Sequence, residues 1–173
     1  RQASFGSARH IEHVSLFHNH VMPELKHDGK VAFFMVDALR YEMAVELIEG
    51  LKTEFAARVV PAVGCLPGIT EVGMAALLPG AEKGLLIEGS KGGLDVKIDD
   101  TMVTSRAQRL EWMIAKAEVP VCCAKLADVL KPAMKRRKDF VSAKLVVVTS
   151  QEIDLLGEEG DEENIRLYIV DVL

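Results

Sequence analysis

The sequence has little of what marks secreted, membrane-spanning or nucleic-acid-dedicated proteins. Its three cysteines (Cys65, Cys122 and Cys123) are an odd number without metal-ligand spacing, which indicates reduced thiols in a cytoplasmic protein. The longest apolar run, near Val31–Val36, is too short to span a bilayer. The polar N-terminus does not resemble a signal peptide. A net charge of −5 and a pI near 5.6 argue against a dedicated nucleic-acid binder, which usually needs a basic excess.

What is present suffices for one folded domain. The 173 residues, of which 49% are hydrophobic and 27% charged, can bury a core without metals or disulfides. The sequence begins at Arg1 rather than Met and stops at Leu173 within an apolar periodic segment. We therefore expect it to be part of a longer chain.

The hydrophobic pattern alternates between buried strands and amphipathic helices. Apolar runs typical of strands cover 31–36, 58–63 and 144–149, and the first is predicted to be buried on both faces. Helical spacing predicts helices over about 7–26, 39–55, 70–78, 105–117, 124–140 (kinked or split by Pro132) and 162–173. Segment 81–104 predicts a small hairpin or long loop, and 150–161 a polar loop. This order specifies an α/β fold with a mainly parallel sheet and helices on both faces.

Residues suited to chemistry follow these predicted strands. Asp37 comes directly after the first strand and Thr70 opens the helix after the second. Asp154 and Glu158 lie in the predicted loop after the strand 144–149. Ligands bind at the carboxyl ends of strands in open α/β sheets. Three carboxylates and a hydroxyl at one such edge suit hard divalent cations.

Thr70 and Arg40 each have a functional and a structural interpretation. A hydroxyl at a helix N-terminus lies among unpaired N–H groups that can seat a phosphate, and a bound metal would make it a nucleophile. The structural alternative is that Thr70 only caps the helix that it opens. The same alternative holds for Asp37, because an aspartate at a strand end often caps the following helix. Arg40 could contact a phosphate, or it could be a solvent-facing residue of the first helical turn.

Three stretches resemble a known family. Residues 36–42 (VDALRYE) and 66–79 (LPGITEVGMAALLP) look like the PglZ domain, a branch of the alkaline phosphatase superfamily found in bacterial phage-defence systems of the BREX type. Residues 150–158 (SQEIDLLGE) are similar to a later segment of that family. The resemblance covers about 30–173 and implies a partial PglZ-like domain with an alkaline-phosphatase-like core. Residues 1–29 are predicted to form a helical segment outside it.

The resemblance implies a phosphatase or phosphodiesterase with two metal ions and a Ser or Thr nucleophile. It implies that Asp37 and Thr70 hold one metal, with Thr70 attacking phosphorus, and that Asp154 and Glu158 hold the other. Glu158 stands where His is usual, and its harder oxygen donor shifts the preference from zinc toward manganese or magnesium. We expect zinc or manganese as the cofactor, and Arg40 as a phosphate contact.

The sequence also departs from the superfamily pattern. The Asp-His-Gly segment and the further His that complete both metal sites have no counterpart, since no histidine follows His27.

The expected partners are a phosphoester or nucleotide substrate and other defence-system subunits, with nucleic acid as an alternative. No membrane partner is expected. A different hypothesis is a catalytically weak or inactive interaction module that assembles a defence complex. Sulfatase-type relatives, which typically modify their nucleophile, are a third alternative.

Three other features have structural interpretations. His10 and His13 share a helical face and could hold a metal, but a surface or interdomain helix is favoured. The basic cluster at 135–138 is predicted to lie at a helix end where cations meet the dipole favourably, with a nucleic-acid contact as the alternative. Trp112 is predicted to be core or interface.

Overall fold

The computed structural model describes residues 11–27 and 29–158, which form eight strands and eight α-helices in a mixed α/β fold. The strands are β1 (Ile11–Glu12), β2 (Val31–Val36), β3 (Ala62–Val63), β4 (Leu85–Ser90), β5 (Gly93–Ile98), β6 (Thr101–Met102), β7 (Val121–Lys125) and β8 (Leu145–Ser150). The helices are α1 (Met22–Lys26), α2 (Tyr41–Leu51), α3 (Thr70–Ala76), α4 (Ala81–Gly84), α5 (Arg106–Lys116), α6 (Leu126–Leu130), α7 (Met134–Ser142) and α8 (Glu152–Glu158). A 3-10 turn at His13–Ser15 and a π-helical turn at Phe17–Val21 precede α1.

The long apolar strands form a parallel sheet in the order β2-β8-β7. Val31 N–H donates to the Lys144 carbonyl oxygen and Asp37 N–H donates to the Ser150 carbonyl oxygen, so the residue numbers of both strands rise together. β1 and β3 also pair in parallel. The predicted α/β fold with a parallel sheet is therefore confirmed.

Segment 85–102 forms a separate antiparallel sheet in the order β4-β5-β6. β4 and β5 pair from Leu85 opposite Ile98 to Ser90 opposite Gly93, which confirms the predicted hairpin. Asp99 and Asp100 form the tight turn into β6 and both have positive φ, 48° and 63°. Gly84 approaches this turn so closely that an added Cβ would lie 2.5 Å from Asp99 Oδ1 and 3.1 Å from the Asp99 main-chain N, so a larger residue would displace the Asp99 side chain.

The described residues divide into two compact units. The first comprises the residues up to Met35 together with Ala62–Val148, and the second comprises Val36–Pro61 together with the residues from Thr149 onward.

The first unit holds the larger hydrophobic core. Its buried side chains come from α3, α5, β5, β8 and the turns before α1, with Phe17, Val72, Val96, Met113 and Leu145 all fully buried. α5 begins with a capping box, in which the Ser105 hydroxyl accepts from Gln108 N–H and the Gln108 side chain accepts from Ser105 N–H. This confirms the predicted helix start. Trp112 is buried in this core, as predicted.

The second unit has a small core of its own. Ile153 on α8 is 2% exposed and packs against side chains from the end of β2, the following turn, α2 and α8, namely Val36, Leu39, Met43, Leu47 and Leu156. The predicted polar loop over 150–161 is therefore wrong for 152–158. Its apolar residues Ile153 and Leu156 are three positions apart, so they share a helix face that this core buries.

Several predicted elements differ in extent. The strand expected at 58–63 is limited to Ala62–Val63. Residues 124 and 125, predicted as the start of a helix, are the end of strand β7. β2 is not buried on both faces, since Phe34 is 46% exposed. Pro132 does split the predicted helix 124–140, because it lies between α6 and α7. The predicted helix over 162–173 lies outside the described residues.

The basic cluster lies at the opposite helix end from the one predicted. Residues 135–138 occupy the first half of α7, and the last turn of this helix holds no basic residue. The prediction placed these cations near the end of a helix over 124–140 that Pro132 kinks or splits. Because the helix restarts after Pro132, the cations meet the positive end of the dipole instead.

Within the part of the chain that the structure describes, no helix is both long and apolar enough to cross a membrane.

Candidate functional site

Asp37 lies at the end of β2 with a fixed backbone and a buried carboxylate. It is 7% exposed, and its main-chain N–H donates to the Ser150 carbonyl oxygen at 2.9 Å. Its Oδ1 accepts a 3.1 Å hydrogen bond from Ala38 N–H. Ala38 has a φ of 57°, a conformation that non-glycine residues adopt at a cost. The chain thus accepts backbone strain in the turn that holds this carboxylate.

Glu152 organises the neighbouring strand end and was not singled out by the sequence analysis. Its Oε2 accepts hydrogen bonds from the Ser150 hydroxyl and, at 2.8 Å, from Gln151 N–H. Ser150 is 3% exposed, so this contact satisfies a buried hydroxyl. A carboxylate in the first turn of a helix is the sequence signal that could have found it.

Asp154 and Glu158 lie on α8 rather than in a loop. They are four positions apart, so both side chains project from the same side of the helix. Asp154 is half-buried and Glu158 is exposed. Burial of the neighbouring Ile153 sets the orientation of α8 within the second unit. The predicted roles of both residues as metal ligands stay predictions.

Arg40 directly precedes α2 at its N-cap position and is exposed. Its Nε lies 3.3 Å from Glu42 Oε1, and both side chains are about two-thirds exposed at 66% and 67%. An ion pair this exposed contributes little to stability and exchanges readily with other partners. Contact of Arg40 with a phosphate stays a prediction.

Thr70 is the first residue of α3, as predicted, and it belongs to the first unit. The N-cap position is occupied by Ile69, whose φ of −116° and ψ of 156° are extended. Thr70 is therefore not the N-cap residue that the structural alternative required. The helix is held by the buried side chains of Val72, Ala75 and Ala76.

The predicted metal ligands supply part of what a divalent-cation site needs. Asp37, Asp154 and Glu158 supply hard oxygen donors, and all three belong to the second unit. Among residues 11–27 and 29–158, no three His, Cys, Asp or Glu side chains are grouped as a bound metal ion would require. His10, one half of the alternative histidine pair, lies outside the described residues.

The parallel sheet, with Asp37 directly after one of its strands, is consistent with the core of an alkaline phosphatase-like domain. The family model of the BREX system PglZ alkaline phosphatase-like domain matches residues 16–170, and the chain belongs to this family. The alkaline phosphatase-like protein BrxZ of Escherichia coli O9:H4 (strain HS) is 28% identical over 155 residues. This match covers 87% of the chain and 17% of the relative, so the chain spans a small part of that protein's length.

The predicted resemblance to the PglZ domain is thus confirmed. The matched range begins at residue 16, ahead of residue 30, where the motif resemblance starts. The division into a helical segment 1–29 and a domain 30–173 stays a prediction.

Proposed function

We propose that the chain forms the phosphoryl-transfer part of a metal-dependent phosphatase or phosphodiesterase in a phage-defence protein of the BREX type. The observation that carries this proposal is the buried Asp37 carboxylate after β2, in a chain that belongs to the PglZ family. A carboxylate held at the end of a strand offers the hard oxygen donor that divalent cations prefer. Asp37 is therefore suited to the role of a metal ligand.

Under this proposal the donors divide into two sets. Asp37 and Thr70 hold one divalent cation, and Asp154 with Glu158 holds the second. When bound, such ions lower the pKa of a coordinated hydroxyl and stabilise charge on phosphoryl oxygens. Oxygen donors without histidine suit manganese better than zinc, although both remain within the proposal. Residues outside this chain complete the two sets.

The chain's own residues then have distinct tasks. The Thr70 hydroxyl gives up its proton as Oγ1 bonds to phosphorus, and the ester oxygen leaves with its electron pair and takes up a proton. Water then attacks phosphorus and breaks the Oγ1–phosphorus bond, which releases the phosphate and restores the hydroxyl. Ala38 N–H holds Asp37 Oδ1 and so orients the carboxylate. The Arg40 side chain leaves its exposed ion pair with Glu42 and pairs with the substrate phosphate instead. The substrate is a nucleotide or another phosphoester.

A second candidate function is an interaction module that assembles with other defence-system subunits. The exposure of Glu158 and the lack of a three-ligand group among the described residues favour it. Under either function we place the protein in the cytoplasm, in accordance with its three free cysteine thiols.

The test is hydrolysis of a chromogenic phosphodiester and a phosphomonoester by the natural full-length protein with added zinc or manganese. Thr70→Ala should abolish turnover and Thr70→Ser should retain it, because serine keeps the nucleophilic oxygen. Thr53→Ala is the matched control, since the Thr53 hydroxyl only donates to the Gly50 carbonyl oxygen. Absence of turnover from the folded protein with either metal would favour the interaction module.

A further inference from the structure

The segment 125–144 has a charge opposite to that of the whole chain. It holds seven lysines and arginines against two aspartates, whereas the chain carries a net charge of −5. The cations are Lys125, Lys131, Lys135, Arg136, Arg137, Lys138 and Lys144, and the anions are Asp128 and Asp139. Positive charge is therefore concentrated from the last residue of β7, through α7, to the residue before β8. Such local asymmetry raises the concentration of anionic partners even around an acidic protein.

The position of these charges is not explained by helix stability. Four consecutive cations, residues 135–138, form the first half of α7, and no acidic residue stands in its first turn. Cations at a helix N-terminus oppose the dipole and cost stability. α7 also buries none of its side chains fully, so packing does not require the exposed cations Lys135, Arg137 and Lys138. An arrangement that costs stability in this way points to a function outside folding.

Hydrogen bonds hold two of the side chains in place. Arg136 donates from Nη1 to the Cys123 carbonyl oxygen at 3.3 Å, and its Nη2 lies 3.8 Å from Asp128 Oδ2. Arg137 donates from Nε to the Pro132 carbonyl oxygen at 3.2 Å. Ordering the arginines before binding lowers the entropy lost when they meet a partner. Lys135, Arg137 and Lys138 are exposed.

We propose that the exposed face of α7 formed by Lys135, Arg137 and Lys138 binds the phosphate backbone of nucleic acid. These three cations lie within one helical turn and have no carboxylate among them. A surface of one charge sign fits a row of phosphates better than it fits a protein partner, whose charges are mixed. Arginine guanidinium groups pair with phosphate through two parallel hydrogen bonds. The proposal concerns binding alone and does not depend on the phosphoryl-transfer chemistry of Thr70.

The test measures binding of a fluorescein-labelled DNA duplex by fluorescence anisotropy over about 50 to 200 mM salt. The natural protein is compared with the triple variant Lys135→Gln, Arg137→Gln and Lys138→Gln. Glutamine has a helix propensity close to that of lysine and arginine, so α7 is retained. The matched control is Lys26→Gln, Lys83→Gln and Lys91→Gln, which removes three exposed cations elsewhere in the first unit.

The α7 triple variant should bind at least about tenfold more weakly, and its slope of log K against log salt should fall by about 2 to 3. The control should stay within about twofold of the natural protein, since its lysines contact no phosphate. A charge-preserving variant, Lys135→Arg, Arg137→Lys and Lys138→Arg, should retain binding. Equal losses in both triple variants, or no binding by the natural protein at low salt, would overturn the proposal. Displacement of the DNA by polyglutamate of equal charge would overturn it in favour of an acidic protein partner.

Discussion

The main-chain N–H of Asp37 donates a 2.9 Å hydrogen bond to the carbonyl oxygen of Ser150. Through this bond the residue after β2 is held beside the last residue of β8. α8 begins two residues after Ser150 and carries Asp154. Two carboxylate-bearing segments that are far apart in the sequence are thereby anchored to one edge of the parallel sheet. This is the arrangement expected at a ligand site of an open α/β sheet.

Replacement of Asp37 by asparagine should weaken metal binding without unfolding the protein. Asparagine retains an oxygen that can accept from Ala38 N–H, but it loses the negative charge. Removing a ligand charge should lower the affinity for Mn²⁺ at least about tenfold, measured by isothermal titration calorimetry on the full-length protein. Asp139→Asn on α7 removes the same charge outside the proposed ligand set and should leave the affinity unchanged. Equal affinity in the Asp37→Asn and natural proteins would remove Asp37 from the set.

Ile153→Ala should destabilise the protein strongly. The side chain is 2% exposed and packs against residues such as Leu39 and Met43, so its truncation leaves a cavity. The expected loss is about 2 to 5 kcal/mol in the free energy of unfolding, measured by urea denaturation. Leu155→Ala on the same helix is the control, because Leu155 is 56% exposed and its truncation should cost less than about 0.5 kcal/mol. Similar losses for both would contradict the assigned orientation of α8.

Trp112→Phe should lower the stability of the first unit. The buried indole Nε1 donates a 2.8 Å hydrogen bond to the Pro79 carbonyl oxygen in the turn after α3. Phenylalanine keeps an apolar ring but leaves this carbonyl without its donor, at a cost of about 1 to 3 kcal/mol in the free energy of unfolding. Thermal denaturation followed by circular dichroism measures the loss. Ile114→Val, at a side chain that is 55% exposed, is the control and should melt close to the natural protein.

His13 should make stability depend on pH. Burial lowers the pKa of this imidazole below its usual value of 6.5. The unfolded state therefore takes up a proton first as the pH falls below 6.5, and the free energy of unfolding decreases until the pH reaches the folded pKa. Above 6.5 both states are neutral at this site and the contribution disappears.

The measurement compares urea denaturation at about pH 7.5 and about pH 5 in the natural protein and in His13→Gln. The difference in stability between the two pH values should be smaller in His13→Gln, because the titrating group is gone. His20→Gln is the control, since the His20 side chain is exposed. An undiminished pH dependence in His13→Gln would show that other groups cause it.

Local signals in the sequence were sufficient where an element depends on its own residues. The apolar spacing over 105–117 predicted α5, and Thr70 was expected to open its helix. The Gly-rich segment 81–104 indicated the hairpin of β4 and β5. These features involve neighbours along the chain, so no knowledge of tertiary contacts was needed.

The misassigned elements depend on distant partners. Residues 124 and 125, predicted as the start of a helix, belong to strand β7 because that segment pairs with β8. The alternation of buried Cys122 and Ala124 is too short to separate from helical spacing. α8 forms where a loop was predicted because Val36 and Leu39, more than a hundred residues earlier in the chain, cover Ile153. In both cases tertiary burial decided between two local conformations.

The candidate site was predictable in its residue types and less so in its surroundings. Asp37 after a strand and Thr70 at a helix start follow from the apolar pattern alone. The hydrogen bonds that Glu152 accepts from Ser150 and Gln151 depend on the way β8 turns into α8, which the predicted loop concealed. The assignment of Asp154 and Glu158 to a second metal rests on the resemblance to the PglZ family, and that of Arg40 to a phosphate rests on its position shortly after Asp37.

The central claim, that Thr70 is the nucleophile, is tested most directly by trapping the phosphorylated enzyme. The full-length protein is mixed with a phosphomonoester and manganese, quenched in acid, digested and analysed by mass spectrometry. The account predicts one phosphoryl group on Thr70 in the peptide that contains it, and none in Thr70→Ala. Turnover of the phosphoester by Thr70→Ala at the natural rate, or a phosphoryl group on another residue, would contradict it.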